Sequence, residues 1–519
     1  MPAVARPTRR QLLHGSALVS TAWLAGCATT GSRTDGSAAG GDTARAYRLA
    51  NRLSWGVTDT ELARVGRLGE AGYIDEQLRA AAGPLPAAAQ AQIDALSVQQ
   101  RKPLELWAEI DATRKAGEAK PTEDERKAAQ QAYQQALNRC ARESAQRHLL
   151  RALYAPNQLQ EQMQWFWFNH FNVHQYKSNI RVLLADYEER AIRPNALGPT
   201  ARFRDLLGAC TRHPAMLRYL DNEQNAARRI NENHARELLE LHTLGVDGGY
   251  SQRDVQELAR VLTGHGVNLG DKPGPAGSLR DGIYEFNPAR HDMGNKTVLG
   301  REIRGRGADE LDEVLDVLAV HPSTARFVSR KLARHLLADE PPAAVVDAMA
   351  AAWQRSGGRI DQVLGALLRA PEFTAPGAAR IKDPTHFVVS AVRACYGERV
   401  VLNTAPMQNW LNRLGQGLYN RQTPDGYPSD AAAWTGSGQI AARLDIARAL
   451  GSNAAGLFKA ADDAMAPREQ PAFPLLARPL YWQVLRPLLS PNTREALDGA
   501  GSPQDWNALY LSSPEFMST

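Results

Sequence analysis

The sequence predicts an all-α fold of many mostly orthogonally packed helices, with one small β-hairpin near residues 282–300. Three observations carry this. Ala, Leu and Arg are the commonest residues, with Glu and Gln frequent beside them. Apolar residues recur at the three- and four-residue spacing of one helix face. Few segments alternate apolar and polar with the period of two that a half-buried strand requires.

The elements follow in order. Residues 45–64 hold a short helix, a Ser54-Trp55-Gly56 turn and the start of a second helix. Helices continue over 66–111, broken at Gly83-Pro84, since neither residue favours a helix interior. Residues 112–130 are charged and interrupted by Pro121, and read as a solvated excursion. Residues 131–156 read as one long helix. Trp165, Phe166, Trp167, Phe168 and Phe171 then alternate with Asn169, His170, Asn172 and His174, a density of rings that belongs in a core. Residues 181–220 read as two helices joined near Pro194-Asn195 and Gly198-Pro199. Residues 229–245 and 251–263 read as a helix pair. Gly245 can supply a left-handed cap, and Ser251 with Asp254 three residues on forms a capping box. A Gly/Pro loop over 268–280 precedes the hairpin. Three helices follow across 307–370, Pro376-Gly377 marks a break, and 382–460 mixes helices with an irregular stretch. The last helices end near Phe516.

The N-terminus is an address label. Thr8-Arg9-Arg10-Gln11-Leu12-Leu13 resembles a twin-arginine export motif. The apolar stretch from Ala17 to Leu24 is too short to span a bilayer, which takes about 20 residues. Leu24-Ala25-Gly26-Cys27 reads as a lipobox, so Cys27 is the expected lipid-attachment residue and the membrane, through that lipid, the first expected partner. Ala28 favours the periplasmic face of the outer membrane over retention at the inner one. Twin-arginine export implies folding before translocation; the Sec route for the same lipoprotein stays open. The domain organisation is therefore a signal peptide over 1–27, a Thr/Ser/Gly-rich flexible tether over 28–44, and a helical body over 45–519.

The formal balance of +5 comes from 61 basic and 56 acidic residues, part of it in the signal peptide. The mature surface is mixed, with no basic field for nucleic acid. Beyond Cys27, Cys140, Cys210 and Cys395 lie far apart. They allow at most one disulfide and argue against a thiolate zinc site.

Three constellations could carry chemistry. Along 229–241, Asn233, Arg236, Glu237 and Glu240 fall on one helical arc, opposite Ala235, Leu238 and Leu241. Such an arc is a solvated face, an ion-paired network, or a pocket wall in which one carboxylate of a pair takes a raised pKa. His170 and His174 share the four-residue spacing of a metal pair, with His234, His242 and His265 as further candidates. His291, Asp292 and Lys296 surround a tight turn and could bind an anion or a divalent metal; a plain structured turn is the alternative. No Walker loop, Gly-x-Ser-x-Gly elbow or dinucleotide fingerprint occurs.

Several segments together resemble one bacterial family. Arg229 to Gly245, Tyr250 to Val255 and His291-Asp292 through Gly300 resemble the domain of unknown function 1800. So do Ala50 to Gly56, Trp167 to Phe171, His321 to Phe327, Lys382-Asp383-Pro384, Gly415 to Leu418 and Asp425 to Trp434. The resemblance covers about 45–519. It places His170, Asn231, Glu232, Asn233, Arg236, Glu237, Glu240, Asp254, His291, Asp292 and Lys296 on motif positions. It demotes His234 and His242, where the family pattern accepts Phe or Tyr, and Tyr427 stands where Trp is usual. The family brings no activity. Its members are commonly exported and often encoded beside a sulfatase-like family, an expected exported partner.

These readings converge on one expectation: the helix carrying Glu237, the helix carrying His170 and the turn carrying His291 meet at one polar pocket. There Glu237 and Glu240 would act as acid and base, Arg236 would orient them with Asn233 beside them, and His170, His291, Asp292 and Lys296 would hold a metal or anion. Asn231, Glu232 and Asp254 would support the site. The function expected is a metal- or carboxylate-dependent hydrolase-like enzyme on an envelope polymer or exported molecule. The alternative is a non-catalytic, lipid-tethered binding or assembly factor.

Overall fold

In the computed structural model, helix follows helix, and helices account for 62% of the described residues. Residues 38–81, 83–270, 274–377, 379–459 and 473–519 are described. The export signal, Cys27 and residues 28–37 of the expected tether lie outside them. Chain contacts divide the molecule at Thr43/Ala44, and Ala44–Thr519 forms one compact unit. No described helix is long and apolar enough to cross a membrane.

The first described helix, Ala38–Leu53, begins inside the segment read as a tether. The expected turn at Ser54-Trp55-Gly56 follows, and the second helix, Asp59–Leu78, starts under the Thr58 side chain. The charged segment 112–130 is not an excursion. It ends one helix, Pro103–Glu118, and opens the next, Glu123–Tyr154. Pro121 sits in the turn between them, where it removes no helical hydrogen bond. Thr122 and Glu125 form a capping box, and Glu123, Asp124 and Glu125 fill the first turn, where carboxylates complement the helix dipole. The segment is solvated, as its charges suggested, with nearly all of its residues exposed, but it is helical, and charges pair along the helices, as Asp111 does with Arg114 and Lys115.

The aromatic helix, Gln158–His170, lies in the core with Trp165, Phe166, Trp167 and Phe168 all buried. Trp167 donates its indole N–H to the Ala196 carbonyl at 3.0 Å, so the one polar atom of that ring is satisfied. Two further stretches expected as plain α-helix widen into π-turns, Tyr187–Ile192 and Leu238–Thr243. In the second, the Thr243 hydroxyl donates to the Leu238 carbonyl at 2.6 Å and fills the widened turn.

The region expected to form one hairpin forms two small antiparallel sheets. Strand β1 (His265–Val267), β2 (Leu279–Asp281) and β3 (Tyr284–Phe286) pair in the order β1-β3-β2, with His265 opposite Phe286. Strands β4 (Lys296–Val298) and β5 (Arg301–Ile303) make the hairpin itself. Its turn is Leu299-Gly300, at φ of +50° and +75°, the two positive values that a tight right-twisted hairpin needs. His291 and Asp292 therefore lie before the hairpin's base. Four helices, not three, cross 307–370: Asp309–Val320, Pro322–Leu336, Ala343–Ser356 and Ile360–Leu368. Cys140, Cys210 and Cys395 are buried and free.

Candidate functional site

The helix expected to carry the polar arc runs as α-helix only over Asn233–Glu237 and continues as the π-turn Leu238–Thr243, and the polar residues of 231–240 part company. Asn231 and Asn233 are structural: the Asn231 side chain accepts from the Asn233 N–H at 3.0 Å, and the Asn233 amide reaches the Leu220 carbonyl at 3.2 Å. Glu232 accepts from Arg236 at 3.0 Å and from Gln252 at 2.7 Å. Arg236 is thus held by Glu232 and Gln252 rather than by Glu237 and Glu240. Glu240 accepts from the Tyr250 hydroxyl at 3.3 Å. Asp254 caps its own helix and accepts the Leu299 N–H at 2.7 Å, tying it to the hairpin.

Glu237 differs from all of these. It is half-buried and has no hydrogen-bond partner among the described residues. Burial raises its pKa, the Glu240 carboxylate raises it further, Arg236 opposes, and Asp425 adds to the rise. Both like charges favour a protonated Glu237.

His170 ends its helix, and Phe171 already leaves helical geometry at φ −104° and ψ 52°. His174 is therefore not on the same helical face, and the supposed metal pair does not form. The His170 Nε2–H donates to the His242 carbonyl at 3.1 Å, and its Nδ1 has no partner. Burial holds its pKa well below the usual imidazole range.

His291, Asp292 and Lys296 form a closed knot around a residue that sequence reasoning did not single out, Glu310. His291 meets the Thr263 carbonyl through Nδ1 at 2.7 Å and Glu310 through Nε2 at 3.0 Å. The Lys296 ammonium donates to the same carboxylate and to the Asp292 carbonyl. The side chains of His291, Lys296 and Glu310 are all fully buried. Asp292 turns outward and takes a two-pronged bond from Arg260, at 2.8 and 3.1 Å. Every polar side chain of the turn is engaged, which favours a structural role over a ligand site.

His170 instead lines a narrow cavity of about 50 Å³, whose walls include none of the 291–296 turn. Its neighbours there are Lys331, His335, Arg380, Asp383 and Asp425. Lys331 and His335 stand one helical turn apart on Pro322–Leu336. Asp383 caps Pro384–Tyr396 by accepting the His386 N–H at 2.9 Å. Asp425 and Tyr427 arrive on a loop clamped by Asn169. Asn169 donates to the Tyr427 carbonyl at 2.9 Å and accepts the Tyr427 N–H at 2.6 Å. Glu237 joins this neighbourhood through Asp425, whose charge it feels. Among the described residues no group of three or more His, Cys, Asp or Glu could hold a metal ion.

The family model described as protein of unknown function (DUF1800) matches residues 48–518. The chain belongs to this family. No curated protein and no solved structure matches it. Seen on the fold, four of the segments that carry the family resemblance supply walls of the one cavity: Asn169-His170, Asp383, Gln416 and Asp425-Tyr427-Pro428. Sequence reasoning reached His170 but missed Lys331, His335, Arg380 and Asp425 as site residues. The available signal was weak. Lys331 and His335 are four apart on an amphipathic helix, and Arg380 stands two residues before Lys382-Asp383-Pro384.

Proposed function

We propose that this family member is an exported, lipid-anchored envelope protein whose helical body does carboxylate acid–base chemistry on an envelope polymer or another exported molecule, with Glu237 as the acid. One observation carries the reading: Glu237 is the carboxylate of the polar arc left without a partner, and its surroundings favour the protonated form. A general acid must hold its proton near working pH, and desolvation beside like charges is how a protein arranges that. Glu240, three residues on and oriented by the Tyr250 hydroxyl, is the base of the pair. Export and lipidation rest on the Arg9-Arg10 motif and on Leu24-Ala25-Gly26-Cys27.

The test is a titration of Glu237, read as the difference between carboxyl spectra of the full chain and its Glu237→Gln variant. It is run beside a screen of phosphate, sulfate, glycosyl and acyl esters. A raised Glu237 pKa, with turnover lost in a folded Glu237→Gln protein, supports the reading. An ordinary Glu237 pKa, or turnover intact in that variant, overturns it and leaves the non-catalytic binding or assembly role, with a sulfatase-like exported protein as the partner to seek.

A further inference from the structure

We infer that the cavity between His170, Lys331 and Arg380 is a binding site for a tetrahedral oxyanion, phosphate or sulfate, free or as the terminal group of a larger molecule. The inference stands apart from the acid–base reading of Glu237.

The walls carry donors without acceptors. Arg380 is 3% exposed, and its Nε and one terminal nitrogen have no hydrogen-bond partner. Its nearest carboxylate, Asp383, lies 3.7 Å away, an ion pair too long to be a hydrogen bond. The Lys331 ammonium forms neither a hydrogen bond nor an ion pair among the described residues; its one close charge contact is the Phe327 ring at 5.5 Å. His335 Nε2 is buried and unpartnered and can hold the proton of its neutral ring. His170 Nδ1 is also unpartnered, but with the proton on Nε2 it is an acceptor and faces the cavity as a neutral polar atom.

The acceptors that could have neutralised them are engaged elsewhere. Asp383 caps a helix. Asp425 takes Arg421 at 2.7 and 3.2 Å and the Thr423 hydroxyl as well. A guanidinium and an ammonium on one cavity wall with no carboxylate within hydrogen-bond reach leave N–H groups unsatisfied, at about 1–3 kcal/mol for each buried group. An oxyanion removes that cost, because its oxygens accept from several donors at once and a guanidinium fork matches two of them. The size agrees. One water takes about 10–15 Å³ measured in the same way, so 50 Å³ admits about four water-sized groups, the number of oxygens on a tetrahedral oxyanion. Asn169 and Gln416 add neutral polar groups to the wall.

The test is calorimetric titration of the full chain in detergent with inorganic phosphate and with sulfate, at neutral pH and low salt. Saturable uptake of one ion per chain is expected. Lys331→Met should weaken it at least tenfold, and Lys331→Arg should restore most of it. Lys331 makes no hydrogen bond, so these variants keep the fold; Arg380→Gln, checked by circular dichroism, should abolish uptake. Phenyl phosphate separates the sources. Equal or tighter binding of the ester means that the site takes the end group of a larger molecule, and exclusion of the ester means that it takes the free ion. No saturable uptake of either inorganic ion, or uptake unchanged by Lys331→Met, overturns the inference.

Discussion

Asn169 and Tyr427 are joined by two reciprocal hydrogen bonds, side-chain amide to backbone, across 258 residues of chain. This clamp fixes the loop that carries Asp425 against the helix that carries His170, and so closes one wall of the cavity. Gly426 completes it. Its φ is +78°, and a Cβ there would lie 2.1 Å from the Asn169 carbonyl oxygen. Asn169→Ala would leave a partly buried backbone N–H and C=O unpaired, at about 1–3 kcal/mol. Gly426→Ala should cost at least as much through clash and backbone strain. Urea denaturation checks both, and in both the cavity's anion affinity should fall with the clamp.

Glu237→Gln should stabilise the protein at neutral pH while removing the proposed acid. The folded-state pKa of Glu237 is raised, so between its unfolded and folded values the folded chain holds the extra proton. Stability then falls as pH rises through that interval. The variant escapes the fall. Its advantage, about 0.5–1 kcal/mol, should be present above the folded pKa and vanish in acid below the ordinary glutamate range. Melting temperatures across that pH range test this, and an advantage independent of pH would contradict it.

Glu310→Gln should do the reverse. Burial alone would raise the Glu310 pKa, but His291, Lys296 and the Arg306 and Gly307 N–H groups bond its charged form and hold the pKa down. A depressed carboxylate pKa contributes stability above the unfolded value and loses it as pH falls through the folded one. Removing the charge leaves Lys296 buried without its counter-ion, at about 3–5 kcal/mol. Chelators should change neither the wild-type melting temperature nor its pH profile. A chelator-sensitive protein would return His291 and Asp292 to the role of metal ligands.

Cys27→Ser should abolish lipid attachment. A single acyl chain gives only marginal membrane attachment, whereas two hold firmly. Wild-type protein should enter the detergent phase on partitioning and carry a lipid mass at its N-terminus. The variant should accumulate uncleaved. Replacing Arg9-Arg10 by two lysines should block export if the twin-arginine route is used and leave it unchanged if Sec is used.

The sequence made the helical class legible because amphipathic spacing, caps and glycine stops are local signals. Ser251 with Asp254 and the cap at Gly245 appear where they were expected, Gly245 at φ +84°. It misled where a solvated, Pro-interrupted run was taken for a break in the helices. The residues around Thr122 form a capped helix start and intrahelical pairs, which look the same in a sequence as an exposed loop. The π-turn at Leu238–Thr243 breaks the 100° periodicity on which the polar arc was drawn, so Glu237 and Glu240 are not placed as an ideal helix would place them. The site was half legible. Dense motifs pointed to Glu237 and His170, but Lys331, Arg380 and Asp425 come from distant segments and meet only in the fold. Glu310, which organises the His291 turn, lies in an ordinary acidic helix start and carries no sequence signal.

Lys331 links binding to stability. Burial lowers its pKa to about 8, with Asp425 opposing. The groups facing it are His170 and His335, both kept neutral by burial, together with Arg380, Asp383 and Asp425. An unfolded lysine takes its proton more readily than this one. The folded protein therefore carries a penalty that is fully present below about pH 8 and disappears as pH rises towards the ordinary lysine value. Lys331→Met removes the penalty and should raise stability at neutral pH by about 1 kcal/mol, the gain expected when a functional charge is replaced by an apolar side chain. Sulfate keeps a constant charge over this range and makes the clean probe. Its affinity for the wild type should fall as pH rises through 8 and Lys331 loses its proton, and sulfate bound in excess should shift that fall upward. Lys331→Met should show weak binding with no step. A variant that binds sulfate as the wild type does but is less stable would make Lys331 a structural residue, and its unpaired ammonium would need another explanation.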